Sequence, residues 1–274
     1  MGKLKIDTNA AHLERDILLS KPVLLLVVLT AVFVANTLVA EFIGTKIFSL
    51  EAIFGLPSWD LTLFGVKGLG LNLTAGVILW PVVFILTDII NEYYGEKVVR
   101  LLSYIAMTIV LFAFLMVYLA IKLPPNDWWS FESGSLGNPT THVSNMQVAF
   151  ARIMGQGLWI IMGSMVAFLV GQLVDVYVFH RIKIYTGEKK LWLRATGSTL
   201  VSQWIDSYVV LLIAFWIGSD WELTRVLAIG TVNYIYKGVM AIILTPAIYG
   251  MHNVIEGYLG HDAATALKNA AMKQ

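Results

Sequence analysis

The chain has 274 residues, 58% hydrophobic and only 14% charged, with a mean hydropathy of +0.74. Soluble domains carry about 25% charged residues, and a formal net charge of +1 leaves no cationic surplus to neutralise phosphates, so a water-soluble enzyme and a nucleic-acid binder are both excluded. The absence of cysteine removes disulfides, thiolate metal sites and cysteine nucleophiles, and what remains is an integral membrane protein.

A bilayer core of roughly 30 Å needs about 20 mostly apolar residues per helix. Residues 1–21 are mixed polar and form an N-terminal cytoplasmic segment. The apolar run 22–48 is far longer than a signal-peptide core and lacks a small-residue cleavage site, which predicts an uncleaved first helix. Residues 49–72 carry Gly, Pro and a partial alternation (Leu61, Leu63, Phe64, Val66), the pattern of a short amphipathic outer hairpin. Runs 73–91 and 98–121 predict helices two and three. Between residues 122 and 145, Pro124, Pro125, Trp128, Trp129, Gly134, Gly137 and Pro139 predict a longer irregular outer loop with an interfacial Trp anchor. Runs 148–177, 195–218 and 225–248 predict the last three helices, and residues 258–274 a cytoplasmic tail. The expected fold is an all-α integral membrane protein with six transmembrane helices, forming one domain over 1–274.

Six spans put both termini and the second and fourth loops on one side. That side holds Lys3, Lys5, Arg15, Lys21, Lys97, Arg100, Arg181, Lys183, Lys189, Lys190, Arg194, Lys268 and Lys273; the other holds Lys67, Lys122 and Arg225. The positive-inside rule then predicts an N-in, C-in orientation.

Ionisable groups in hydrocarbon cost about 2.5–3.5 kcal/mol each on insertion scales, so they face the protein interior or a water-filled cavity. The apolar runs keep Glu41, Asp88, Arg152, Asp175, Asp206 and Lys237, with the amides Asn36, Gln156, Gln172, Gln203 and Asn233. Asp206 lies 11 residues past Ala195 and Lys237 lies 12 past Arg225, so helical rise brings both near mid-bilayer. Ser198, Ser202 and Asp206 share one helix face, as do Asn233 and Lys237. Gln156 and Asn36 fall near the same layer, Glu41 and Arg152 nearer the outer surface, and Asp88, Gln172 and Asp175 toward the cytoplasm. This polar layer reads either as a solute site or as a structural ion pair joining the last two helices. Trp204, beside Gln203, is the candidate aromatic for stacking. Gly163, Ala167 and Gly171 permit close helix approach, first within one subunit and second at a homodimer seam.

The sequence has no HExxH, GxSxG or GxxxxGK[ST] motif. No metal or cofactor motif is present, and the chain is not expected to be an enzyme. An intramembrane aspartic pair of Asp88 and Asp206 is the rival from that class, although such carboxylates sit about 3 Å apart and these two differ in depth.

Three stretches carry more than composition: Thr87-Asp88-Ile89-Ile90-Asn91-Glu92-Tyr93-Tyr94-Gly95 with Arg100; Ala151-Arg152 with Gly171-Gln172-Leu173-Val174-Asp175; and Gly197-Ser198-Thr199 with Ser202-Gln203, Asp206-Ser207, Lys237 and Thr245-Pro246. Together they resemble the queuosine precursor transporter family, also known as vitamin uptake transporters. The resemblance implies a multi-pass inner-membrane importer of 7-deazaguanine bases, salvaged for transfer-RNA modification. Asp206, Lys237, Gln203, Asn233, Trp204, Ser202, Gln156 and Asn36 are then the candidate substrate-binding residues. Glu41, Arg152, Asp88, Gln172 and Asp175 are the candidates for gating or coupling. Uptake of a vitamin with a separate energising partner is the alternative.

Overall fold

The computed structural model describes residues 19–129, 142–187 and 190–272. Helix α1, Lys21–Ile43, opens with Pro22 in its first turn, where a missing N–H costs nothing. It ends short of residue 48 because the chain leaves the helix at Gly44 and enters β1, Ile47–Ser49. That strand pairs antiparallel with β4, Asn72–Thr74. Behind β4 the 3₁₀ turn Ala75–Ile78 lies directly on α1; a side chain at Gly76 would come within 2.5 Å of the Ala40 carbonyl oxygen. Between these strands, the short helix α2 (Leu50–Ile53) is capped by the Ser49 side chain. Strands β2 (Leu61–Leu63) and β3 (Val66–Leu69) then form the expected hairpin.

The remaining helices are α3, Trp80–Tyr94; α4, Glu96–Lys122; α5, Met146–Met154; α6, Leu158–Thr186; α7, Leu191–Leu211, continued by a π-helical stretch Leu212–Ile217; α8, Leu223–Ile243; α9, Thr245–Leu259; and α10, His261–Ala271. Among the described residues, five helical stretches are long and apolar enough to cross a membrane: Lys21–Ile43, Glu96–Lys122, Met146–Thr186, Leu191–Ile217 and Leu223–Ile243. Their outer faces expose Val27, Val28, Phe112, Leu115 and Ile242, as lipid contact requires. This is a multi-pass, all-α membrane protein.

The expected second span differs in kind. Helix α3 has 15 residues, a rise of about 22 Å, and carries Asp88 and Glu92. It tolerates them because Leu86 through Tyr93 are all buried, with α1, α4, α6 and α10 packed around them. The core sits here, where Phe33, Leu86, Ile90, Phe168, Ile255 and Ala264 share one apolar cluster.

Three other expected boundaries move. The run 148–177 is broken between α5 and α6 at Gly155-Gln156-Gly157, with Gln156 at φ +35°, a conformation uncommon for a non-glycine residue. Helix α8 stops at Ile243, and Pro246 sits at the start of α9. The expected tail contains α10. In the loop expected to be external, Trp128 is exposed and Trp129 Nε1 donates to Gln147 at 3.2 Å; Gly134, Gly137 and Pro139 lie outside the described residues.

Candidate functional site

Two cavities open within the bundle. The wide one, about 1110 Å³, lies beside the hairpin and is lined by β3, β4 and parts of α1, α5, α6, α7 and α8; the narrow one, about 40 Å³, lies between α3, α7 and α8 on the side away from the hairpin. Val77, Trp80, Tyr236 and Lys237 belong to both walls, so they form the partition.

At that partition Lys237 Nζ donates to Asp206 Oδ2, joining α8 to α7. The two side chains keep 17% and 22% exposure, so the pair faces open space rather than sealed core. Shared depth predicted this meeting. Close helix approach makes it possible: a side chain at Gly171 would touch Asp206 Cβ at 3.6 Å, and one at Gly163 would press on the Val210 carbonyl oxygen at 2.9 Å. The small-residue stripe thus serves α6–α7 packing within this chain.

Asn233, Gln156, Glu41 and Arg152 also line the wide cavity. Gln156 Nε2 donates to the Glu41 main-chain oxygen at 3.1 Å, and Ser164 donates to the Glu41 carboxylate at 2.5 Å. Glu41 is therefore tied to the α5–α6 break and to α6, while Arg152 is exposed and forms no ion pair with it. Asp88 and Gln203 line the narrow cavity instead.

Asn36, Ser202 and Trp204 border neither cavity. The Asn36 amide donates to Val32 in its own helix at 3.1 Å. Trp204 is 55% exposed and packs edge-on against Tyr208; residues two apart on a helix point about 200° apart, so it faces away from Asp206. Ser202 is fully buried and donates to Asp175 at 3.0 Å, tying α7 to α6. Gln172 accepts from Thr87 at 3.1 Å, tying α6 to α3.

Sequence reasoning gave no role to three of the enclosed charges. Glu92 Oε1 accepts from Arg194 Nη2 at 2.6 Å, and Lys183 Nζ lies 3.2 Å from Oε2 and donates to the Glu92 main-chain oxygen at 3.0 Å. All three are at most 3% exposed. Lys183 and Arg194 had been assigned to a cytoplasmic loop; they lie within α6 and α7 and are turned into the protein. Trp80, Phe84 and Tyr236 on the narrow-cavity wall were also missed. The spacing Trp80–Phe84–Asp88 on one helix face was the available signal.

A membrane bundle with a charged partition between two cavities is the architecture a solute carrier needs. The family described as "Putative vitamin uptake transporter" matches residues 74–251. This chain belongs to that family. It is 30% identical over 152 residues to the "Probable queuosine precursor transporter" of Bacillus subtilis (strain 168), covering 55% of this chain and 59% of that protein. It is 27% identical over 188 residues to the "Queuosine precursor transporter" of Escherichia coli (strain K12), covering 68% and 75%. It is 26% identical over 179 residues to the "Probable queuosine precursor transporter" of Haemophilus influenzae, covering 65% and 67%. No solved structure matches the chain. The matched region contains Asp88, Glu92, Arg152, Asp175, Asp206 and Lys237.

Proposed function

We propose that the protein imports queuosine precursors, 7-deazaguanine bases, across the inner membrane, and that the base meets the Asp206–Lys237 pair near mid-membrane. The observation that carries this reading is the placement of the pair: partly exposed, at the partition between two cavities, inside a bundle of a transporter family. A guanine-like base presents N1–H and an exocyclic amine on one edge, which a carboxylate accepts in bidentate fashion. Its carbonyl is an acceptor for Lys237 or Asn233. Glu41, Arg152 and Gln156 line the way in.

In this reading α3 and its preceding 3₁₀ turn complete a sixth crossing, both termini are cytoplasmic and the hairpin is external. The absence of cysteine makes single-cysteine labelling clean. A cysteine at exposed Lys67 in the hairpin labels with an impermeant reagent in intact cells, and one at exposed His261 labels only after permeabilisation; the reverse pattern overturns the orientation.

Thermal shift of the purified protein against 7-deazaguanines and water-soluble vitamins tests the substrate. A ligand that binds only the native state adds about 2.7 kcal/mol of stability at a hundred-fold excess over its Kd. Stabilisation by deazaguanines, with uptake in cells that cannot synthesise them, is the expected result. Stabilisation by vitamins alone moves the substrate to that class.

A further inference from the structure

The wide cavity runs along one face of α8, where Arg225, Ile229, Asn233 and Lys237 line it at intervals of four residues. Twelve residues of helix separate Arg225 from Lys237, a rise of about 18 Å that one bicyclic base does not bridge. The Asp206–Lys237 pair therefore serves one end of the cavity only. The other end has an aromatic arrangement of its own. Helix α7 finishes in the π-helical stretch Leu212–Ile217, an irregularity frequent at functional sites. Beyond it Ser219 Oγ donates to the Ala214 carbonyl oxygen at 3.1 Å, and the Trp221 N–H donates to that of Phe215 at 3.0 Å. The chain is folded back, and the Phe215 and Trp221 rings lie 4.5 Å apart between centroids. Arg225, in the first turn of α8, sets its guanidinium 4.4 Å from the centre of the Trp221 ring.

We infer that the Phe215–Trp221–Arg225 stack is the entrance station for the imported base, which lies flat on the Arg225 guanidinium before it reaches the Asp206–Lys237 pair. This rests on the import reading above. All three side chains line the wide cavity, beside the hairpin residues Lys67 and Leu69. Arg225 is exposed and forms no ion pair among the described residues, so its plane is held by the Trp221 ring and not by a carboxylate. A guanidinium plane stacks on nucleobases, and its charge is attracted to the face of an electron-rich ring such as a deazapurine. An interfacial tryptophan anchor is the other use of such a residue. That role needs a ring turned toward the headgroups, whereas Trp221 is half-buried and packs against two cavity-lining neighbours.

The test measures concentration-dependent uptake of radiolabelled 7-deazaguanine by the full chain, at matched protein level, in cells that cannot synthesise it. Arg225→Lys keeps the charge and its reach to the interface but loses the plane that stacks. Stacking of one base is worth at least about fivefold in affinity, so the KM rises at least about fivefold while the maximal rate stays within about twofold. Trp221→Leu frees the guanidinium and raises the KM in the same way; it is the independent variant should Arg225→Lys fail to reach the membrane. Combining the two changes adds little to either, because ring and guanidinium act as one unit. An anchoring or purely electrostatic Arg225 leaves the KM of Arg225→Lys unchanged. That result, or a lowered maximal rate at unchanged KM, overturns the entrance station and leaves the import reading standing. Failure of the unmutated protein to take up or bind 7-deazaguanine overturns both.

Discussion

The protein contains two groups of opposite charges joining α7 to its neighbours, and they differ in surroundings. Glu92, Arg194 and Lys183 are at most 3% exposed, and Arg194 is held further: its Nη1 donates to the Gly187 carbonyl oxygen at 2.5 Å and its guanidinium lies over the Phe179 ring. Asp206 and Lys237 form one contact and keep roughly a fifth of their surface open to cavity space. A buried network of this kind fixes a geometry, since losing one member leaves a buried charge without its counter-charge. A partly open pair can exchange its partner for a ligand at small cost. The first is built to stay closed and the second to be interrupted.

The largest expected effect separates the two directly. Glu92→Gln removes the carboxylate that faces Arg194 and Lys183 in the core, and removing one partner of a buried pair costs about 3–5 kcal/mol. The folded yield in detergent collapses. Asp206→Asn and Lys237→Met made together remove both charges of the open pair and retain a folded protein, measured by size-exclusion profile and melting temperature. Equal losses in the two variants would erase the distinction.

A smaller effect concerns binding. Asp206→Asn alone keeps the shape, removes the charge and replaces one acceptor with a donor. In the still-folded protein deazaguanine affinity falls by about 1.5–3 kcal/mol, the scale of a hydrogen bond to a charged group. Lys237→Met and the double variant close the cycle that separates ligand contacts from the pair's own coupling. Unchanged affinity in all three makes the pair structural.

The open pair was legible in the sequence because two ionisable residues at equal depth in apolar runs have few other ways to be satisfied. The closed network was not. Lys183 and Arg194 sit at the ends of apolar runs, where a cation ordinarily reaches the interface; only the wedge of α3 turns them inward. The hairpin was readable from its alternation, whereas the break at Gln156 was hidden inside a continuous apolar run. Trp204 shows the limit of adjacency: it is next to Gln203 in sequence, but the helical turn sends it outward. The cavities arise from packing of distant segments, and no local pattern encodes them.

Arg152 tests whether an exposed charge beside the wide cavity matters at all. It is exposed and unpaired with Glu41, so Arg152→Ala shifts stability by no more than about 0.5 kcal/mol. Under the import reading it lowers the uptake rate in cells at unchanged protein level. Wild-type uptake would remove Arg152 from the entry path.

A further small effect calibrates the comparison from outside the five apolar spans. Lys268 on α10 donates to Glu256 on α9 at 2.5 Å, with the carboxylate still 35% exposed. The hydrogen bond from Lys268 holds Glu256 below its ordinary value of 4.5. A carboxylate depressed in this way contributes stability above its unfolded pKa. That contribution is lost as pH falls from about 4.5 through the lower folded value, where the native carboxylate also takes up a proton. Solvent screening keeps the pair's worth under about 1 kcal/mol. Glu256→Gln therefore lowers the melting temperature slightly at pH 7, and the difference from wild type shrinks below pH 4.5. A loss as large as that of Glu92→Gln would show that exposure does not grade these ion pairs, and would undo the contrast between the open and closed groups on α7.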